Sequence, residues 1–471
     1  MSWELVAGLE THVELSTKTK IFCSCTTEFG GDPNTHCCPV CIGLPGTLPK
    51  LNREVVTYAV RAGLATNCRI RKVSKMDRKN YVYPDLPKAY QISQFDMPLC
   101  EGGYVELDSG KRIRITRIHI EEDAGKLVHH RGDTYIDYNR GGVPLIEIVS
   151  EPDIRSVEEA TEYIDKLRLI MKHIGVSDVK MQEGSLRCDV NVSVRKEGET
   201  ALGIRAELKN MNSVNFIAKA MAYEFERQVD ILENGGTIDQ ETRRYDSDQN
   251  VTESMRSKED ADDYRYFREP DLSTICLTDE EIEDIDRSLP ELPQEKVRRY
   301  TETYGLSPVD AELLARYRRI AEYFDAASEG TGHHRIVANL ILGQVFRRLP
   351  LETDKEAMDI AVSAEDLKEL SILIGTKKLT PSLARNVLEQ MLDTGKKVHD
   401  LVSESDLEGI DETALRALCE KAVAENPEAV ASYRNGKEKA FKSIIGQIMK
   451  ETKGKADAVL AGEIVREIIG R

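Results

Sequence analysis

Near the start of the chain, Glu10-Thr11-His12-Val13-Glu14 sets two carboxylates on either side of an imidazole at i, i+2 and i+4. On a strand these three share one face, at spacings of about 7 Å. Such a set suits a hard or borderline divalent cation, or a relay of proton-transfer groups; a solvated sheet face has the same spacing. Glu121-Glu122-Asp123 follows the strand-like run Arg114 to Ile120. Three acids at a strand end either present carboxylates to Mg²⁺, which keeps several waters, or form a solvated turn. Glu147 interrupts Leu145-Ile146-Glu147-Ile148-Val149. An unpaired carboxylate in a buried run is costly, so Glu147 calls for a metal or a cationic partner unless its strand is an edge.

The cysteines form a second constellation. Of ten, five (Cys23, Cys25, Cys37, Cys38 and Cys41) fall within 19 residues. Cys38-Pro39-Val40-Cys41 has the turn of a zinc knuckle, and Cys23-Ser24-Cys25 is a tighter pair. Cys23, Cys25, Cys38 and Cys41 are the expected ligands of a structural Zn²⁺, with Cys37 as the alternative to Cys38. Redox thiols and an unmetallated loop are the competing readings. Phosphate-binding glycine loops, the dinucleotide fingerprint and the kinase catalytic-loop set are all missing, so any use of ATP runs through an unusual site.

The elements that must position these groups change character near residue 290. Before it, Leu5, Ala7, Leu9, Val13 and Leu15 alternate with polar residues, which predicts a strand with one dry face. Ser185 to Val194 alternates likewise, with Arg187, Asp189, Asn191 and Ser193 on the wet side, and Arg205, Glu207 and Lys209 share another charged face. These are antiparallel-type patterns. Ser156-Val157-Glu158-Glu159 opens a helix that Gly175 closes, and a second helix runs from about Val214 to Asn234 before Gly235-Gly236. The expected class is α+β: a cradle built on antiparallel sheet with flanking helices over 1–292, an all-α domain over 293–400 and a small helical tail over 401–471. Pro290 to Pro293 marks the first edge. In the tail, Asn426-Pro427 starts a helix, Asn435-Gly436 breaks it, and helices follow over Lys437 to Lys453 and Asp457 to Ile469.

Composition narrows the class. The chain has 471 residues, 40% hydrophobic and 31% charged, with a formal net charge of −17. It lacks the roughly 18 apolar residues in a row that a membrane span needs, and has no basic-then-apolar leader, which predicts a cytoplasmic protein. The net charge opposes nonspecific nucleic-acid binding. Local basic segments run against it, at Arg69 to Lys79, Lys111 to Arg117, Arg316 to Arg319 and the lysines after 437.

Longer runs carry a specific resemblance. Gly8 to Leu15, Asp77 to Asp85, Pro87 to Gln94, Glu121 to Lys126, Pro144 to Asp153, Glu183 to Asp189, Ala206 to Asn210, Asp262 to Phe267 and Gly446 to Lys450 together resemble the B subunit of the bacterial glutamyl-/aspartyl-tRNA amidotransferases. The resemblance implies a ligase with a glutamine amido donor. ATP phosphorylates the side-chain carboxylate of Glu-tRNA(Gln) or Asp-tRNA(Asn), and ammonia then gives the amide. It implies Mg²⁺ held by His12, Glu122 and Glu147 with Glu10 close by. It puts Asp189, Arg205, Glu207 and Lys209 in the same cleft as nucleotide or substrate contacts, and Lys79, Tyr83 and Lys88 on the wall where ammonia arrives. Lys437, Lys439, Lys442 and Lys450 become tRNA contacts. The partners are a glutaminase A subunit and a small C subunit in a heterotrimer, because this chain lacks the Gly-Ser-Ser-rich run of an amidase. Two rivals are a tRNA-binding protein without catalysis, and a free-standing metallohydrolase built on Glu10 and His12.

Overall fold

The computed structural model describes residues 2–257, 264–403, 412–434, 437–452 and 455–470. Asp262 and Asp263, the Asn435-Gly436 break and Lys453 lie outside the described residues. The chain forms two compact units, Met1–Leu292 and Pro293–Arg471.

In the first unit the strands run β1 (Trp3–Glu14), β2 (Arg69–Ile70), β3 (Val73–Ser74), β4 (Asp77–Asn80), β5 (Tyr90–Ser93), β6 (Cys100–Glu106), β7 (Arg112–Glu122) and β8 (Lys126–His130). They continue as β9 (Asp133–Asp137), β10 (Pro144–Ser150), β11 (Leu186–Lys196), β12 (Ala206–Lys209), β13 (Glu241–Asp246), β14 (Val251–Ser257), β15 (Phe267–Arg268) and β16 (Ile275–Cys276). Among the described residues the main sheet has nine strands in the order β14-β13-β12-β11-β1-β10-β7-β6-β2. Its neighbours are antiparallel apart from β12 and β13, which run parallel. A parallel pair needs a crossover, and the helix α3 (Val214–Glu233) supplies it. The sheet is therefore mixed at this one joint.

Alternation along β1 divides the sheet into two faces. Leu5, Ala7, Leu9 and Val13 are buried in a core with residues of helices α1 (Arg53–Ala65), α2 (Val157–His173) and α3. Each large aliphatic side chain buried this way stabilises by about 1.5–3 kcal/mol. Caps fix the helix starts: Ser156 accepts from the Glu159 N–H for α2 and Asn52 from the Glu54 N–H for α1. Close packing sets α1 against β6, since a Cβ on Gly63 would come within 2.5 Å of Cys100 Sγ. On β7, Ile113 and Ile115 face the core, yet so do Ile118 and Ile120. The register against β10 shifts here, with Val149 opposite Arg117 and Ser150 opposite Ile115. Thr116 is the extra residue of a bulge, which reverses the alternation for the rest of the strand.

The second unit is helical throughout its described residues, from Pro293–Glu302 to Ala458–Gly470. It holds two buried clusters, one drawn from Tyr300 to Val398 and one from Leu415 to Ile469. Pro427 opens the helix Pro427–Arg434, and the next helix is Glu438–Glu451. Along it Ile444 and Ile448 are buried, whereas Lys439, Lys442 and Lys450 are exposed. At 100° per residue those three lysines lie in one stripe, and exposed Lys437 stands at its N-terminal end.

Candidate active site: an ionised sheet face and a four-thiol loop

The face of the sheet opposite the core carries the chemistry. In the ladder His12 sits opposite Glu147, and Glu147 opposite His119. Residues directly opposite share a face, so β1, β10 and β7 bring two imidazoles and a carboxylate into a row. Glu121, two residues along from His119 after the bulge, joins them. His12 Nε2 lies 3.4 Å from Glu147 Oε2 and 3.5 Å from Glu121 Oε1. One ligand atom from each of His12, Glu121 and Glu147 falls within 4.8 Å of the others. Burial works against a charge on His12, but hydrogen bonding to Glu147 and the charges of Glu147 and Glu121 raise it to about 9. Glu147 is also penalised by burial, yet His119, His12 and Lys79 hold it well below the usual carboxylate range. The cluster thus concentrates anionic oxygen donors that a cation would relieve.

Glu122 is not part of that row. After the bulge it has the parity of Ile118 and Ile120, and its Oε1 accepts from the Ile92 N–H at 2.9 Å and from Lys88 Nζ. The Gln91 side chain also donates to its backbone carbonyl. Glu121 therefore occupies the position beside His12 that the resemblance gave to Glu122.

Two further groups continue the same face. Glu10 lies opposite Asp189, and Asn191 opposite Glu207. Asn191 donates to Glu10 Oε1 at 2.8 Å, Lys209 donates to Asp189, and Thr242 donates to Glu207 Oε2 at 2.8 Å. Burial opposes the charge on Lys209, but Asp189 and Glu207 keep it protonated. Beside His12, Arg187 donates to Asp123 Oδ2 at 2.8 Å, and its buried Nε has no hydrogen-bond partner among the described residues. Burial, with Asp123 adding to it, pushes the Glu14 carboxyl up to about 8.

Of the remaining expected residues, Lys79 on β4 stacks over Tyr264 at 4.7 Å, and its charge acts on Glu147. Lys88 pairs with Glu122 and faces the Tyr90 ring at 5.4 Å. A cavity of about 210 Å³ lies at this pair, lined also by Lys20, Phe22 and loop residues from Val40 to Pro49. Tyr83 is 54% exposed in the connection between β4 and β5. Arg205 precedes β12, at the parity of Glu207 and Lys209, and is exposed. His119, Arg117 and the role of Arg187 are additions that reading the strands one at a time did not supply.

The thiols of Cys23, Cys25, Cys38 and Cys41 each offer a sulfur within 4.8 Å of the others. Cys41 Sγ accepts from the Cys38 N–H at 3.1 Å and lies 3.9 Å from Cys38 Sγ. Hydrogen bonding from Cys23 lowers Cys41 to about 4, with the Cys38 N–H and the charge of Lys20 also favouring its thiolate against burial. Cys23 is pushed up in exchange by that same bond, and Cys25 is raised to about 11 by burial first. One thiolate forms readily and further ones are suppressed, which is what a set of four sulfurs does until a cation joins it. Cys37 stands outside the set, with its sulfur 3.8 Å from Asn139 Oδ1.

Residues 5–283 match the GatB/GatE catalytic domain family and residues 322–469 match the GatB domain. The chain is 53% identical over 476 residues to the B subunit of the aspartyl/glutamyl-tRNA(Asn/Gln) amidotransferase of Thermoanaerobacter pseudethanolicus, covering 100% of both chains. It is 52% identical to the protein of that name from Caldanaerobacter subterraneus subsp. tengcongensis, again over 100% of both, and 49% identical to that of Carboxydothermus hydrogenoformans, over 100% of this chain and 99% of the relative. With the ionised sheet face and the helical unit behind these matches, the chain belongs to the GatB family, the B subunits of tRNA-dependent amidotransferases.

Proposed function

We propose that the ionised face of the nine-stranded sheet is where ATP activates the side-chain carboxylate of Glu-tRNA(Gln) or Asp-tRNA(Asn), and where ammonia then displaces the phosphate. The observation that carries this reading is the convergence of His12, Glu121 and Glu147 beside the Lys209–Asp189–Glu207 group, on one face, in a GatB-family chain. The substrate carboxylate is already ionised at neutral pH, so the reaction needs no strong base. It needs two anions held together while the phosphoryl group moves, a problem of positioning and electrostatics.

His12, Glu121 and Glu147 would hold Mg²⁺, with Glu10 and Glu14 on the same strand face. Their donor set, two carboxylates and one imidazole with ligand atoms within 4.8 Å of one another, fits a hard or borderline divalent ion of that kind. Bound there, it would supply neutralisation of the phosphate charge. Lys209, oriented by Asp189 and Glu207, and Arg187, which has an unused buried donor, are suited to hold phosphate or carboxylate oxygens. Arg205 would join them from the mouth of the cleft. Lys88, Lys79 and Tyr83 would line the side from which ammonia enters, supplied by a glutaminase A subunit that a small C subunit fastens in place. The four thiols would hold a structural Zn²⁺. The region 293–400 and the tail 401–471 would serve as separate domains, with Lys437, Lys439, Lys442 and Lys450 of the tail contacting tRNA.

The test is ATP hydrolysis by the full complex, with and without misacylated tRNA. Glu121→Gln and Glu147→Gln are each expected to lower tRNA-dependent turnover by about 100-fold or more, with tRNA affinity unchanged. Unaltered amidation by both variants would sink the metal assignment. ATP-independent hydrolysis without tRNA would favour a metallohydrolase, and tRNA binding without any ATP turnover would favour a binding module.

A further inference from the structure

Beside the proposed metal ligands lies a second histidine whose role differs from theirs. His119 is 4% exposed on β7. Its Nε2 stands 3.5 Å from Glu147 Oε2 and 3.8 Å from Glu121 Oε2, so it touches both carboxylates. Glu147 Oε2 is the same oxygen that His12 Nε2 approaches at 3.4 Å. By proximity alone, either imidazole looks like a ligand.

The other ring nitrogen decides between them. Arg117 Nε donates to His119 Nδ1 at 3.3 Å. A guanidinium has donors only and is not deprotonated in proteins, so Nδ1 must be the acceptor. The ring proton then sits on Nε2, the atom facing Glu147 and Glu121. An Nε2–H has no lone pair for a cation, and Nδ1 is covered by Arg117. Among the described residues no such donor is set against the other ring nitrogen of His12. The β7 bulge makes this arrangement, because it puts Arg117, His119 and Glu121 on one face after Ile113 and Ile115 have set the opposite parity.

We infer that His119 is a positioning residue: fixed in one tautomer by Arg117, it directs its Nε2–H at the Glu147 and Glu121 carboxylates and orients them toward the cation that His12 binds through nitrogen. This rests on the metal reading of the His12–Glu121–Glu147 cluster. Groups that orient ligands in this way typically contribute a factor of about 10–100 to metal affinity.

The test uses Mn²⁺ as the probe on the full-length chain, with affinity and ligand nitrogens both read by electron paramagnetic resonance. Wild type is expected to bind Mn²⁺ with coupling to a single imidazole nitrogen, which His12→Ala removes. His119→Ala should weaken binding by about 10–100-fold. His119→Gln, whose amide N–H can stand near the lost Nε2–H, should recover most of that affinity and keep the single coupling. Circular dichroism and thermal melting identify any variant that has failed to fold, and His119→Gln then carries the comparison. Two imidazole couplings in wild type, one of them lost in His119→Gln, would overturn the inference by making His119 a ligand. Wild-type affinity in a folded His119→Ala would overturn it as well. Absence of Mn²⁺ binding by wild type would instead strike the metal reading itself, and is told apart because it precedes any substitution.

Discussion

At the scale of single residues, the candidate site turns on which of two adjacent glutamates reaches His12. Glu121 and Glu122 differ by one position, and on a strand one position is the other face. The side chains consequently predict different behaviour. Glu121→Gln removes an oxygen donor from the His12 cluster, whereas Glu122→Gln unpairs Lys88 and leaves that cluster intact. Mn²⁺ affinity should fall at least tenfold in the first variant and stay within about twofold in the second, measured side by side. The acidic triplet and His12 were legible from residue types alone. The choice within the triplet was not, because an alternation read from the start of β7 gives the wrong parity beyond Thr116. The signal was nonetheless present: apolar positions change from 113 and 115 to 118 and 120. The cysteine set was easier, since its spacing lies within one short segment. Replacing Cys41 with Ser should abolish zinc retention and lower the thermal midpoint, by an amount equivalent to roughly 3 kcal/mol, read by melting with and without chelator.

At the scale of elements, the sheet's far edge is held by a buried polar network. Glu224 of α3 is fully buried and accepts from Arg227 Nη2 at 2.7 Å, Gln228 Nε2 at 2.8 Å and Thr252 Oγ1 at 2.9 Å. Arg243 of β13 approaches it at 3.3 Å. This ties the crossover helix to β13 and β14, next to the β12 strand that carries Glu207 and Lys209. Removing one partner of such a buried group leaves the others uncompensated. Glu224→Ala should destabilise the protein by about 3–5 kcal/mol in urea unfolding, far more than loss of an exposed pair such as Arg53–Glu281. The sequence announced α3 through its Gly235-Gly236 stop and the β12 charges through their alternation. It did not announce that β12 and β13 run parallel, because pairing partners are settled by crossover geometry and not by local pattern.

At the scale of the whole molecule, a chain of net charge −17 is proposed to handle a polyanion. Long-range repulsion must then be overcome locally, and the lysine stripe of Glu438–Glu451 is the kind of patch that does so. Changing Lys437, Lys439, Lys442 and Lys450 together to Gln should weaken tRNA binding across sequences. The slope of log affinity against log salt should become shallower by up to about 0.9 for each phosphate no longer neutralised, measured by titration at several salt concentrations. ATP turnover at saturating tRNA should change little.

The division of the sheet into a dry and an ionised face has an evolutionary consequence. Deleting or inserting one residue within β1 would exchange Leu9 and Val13 with Glu10, His12 and Glu14 throughout the rest of the strand, losing the core and the cleft in a single step. No partly active intermediate lies along that path. Length variation in this family is therefore expected to collect in the connections, such as residues 26–37 between the two cysteine pairs, while strands such as Trp3–Glu14 accept substitutions but not changes of length.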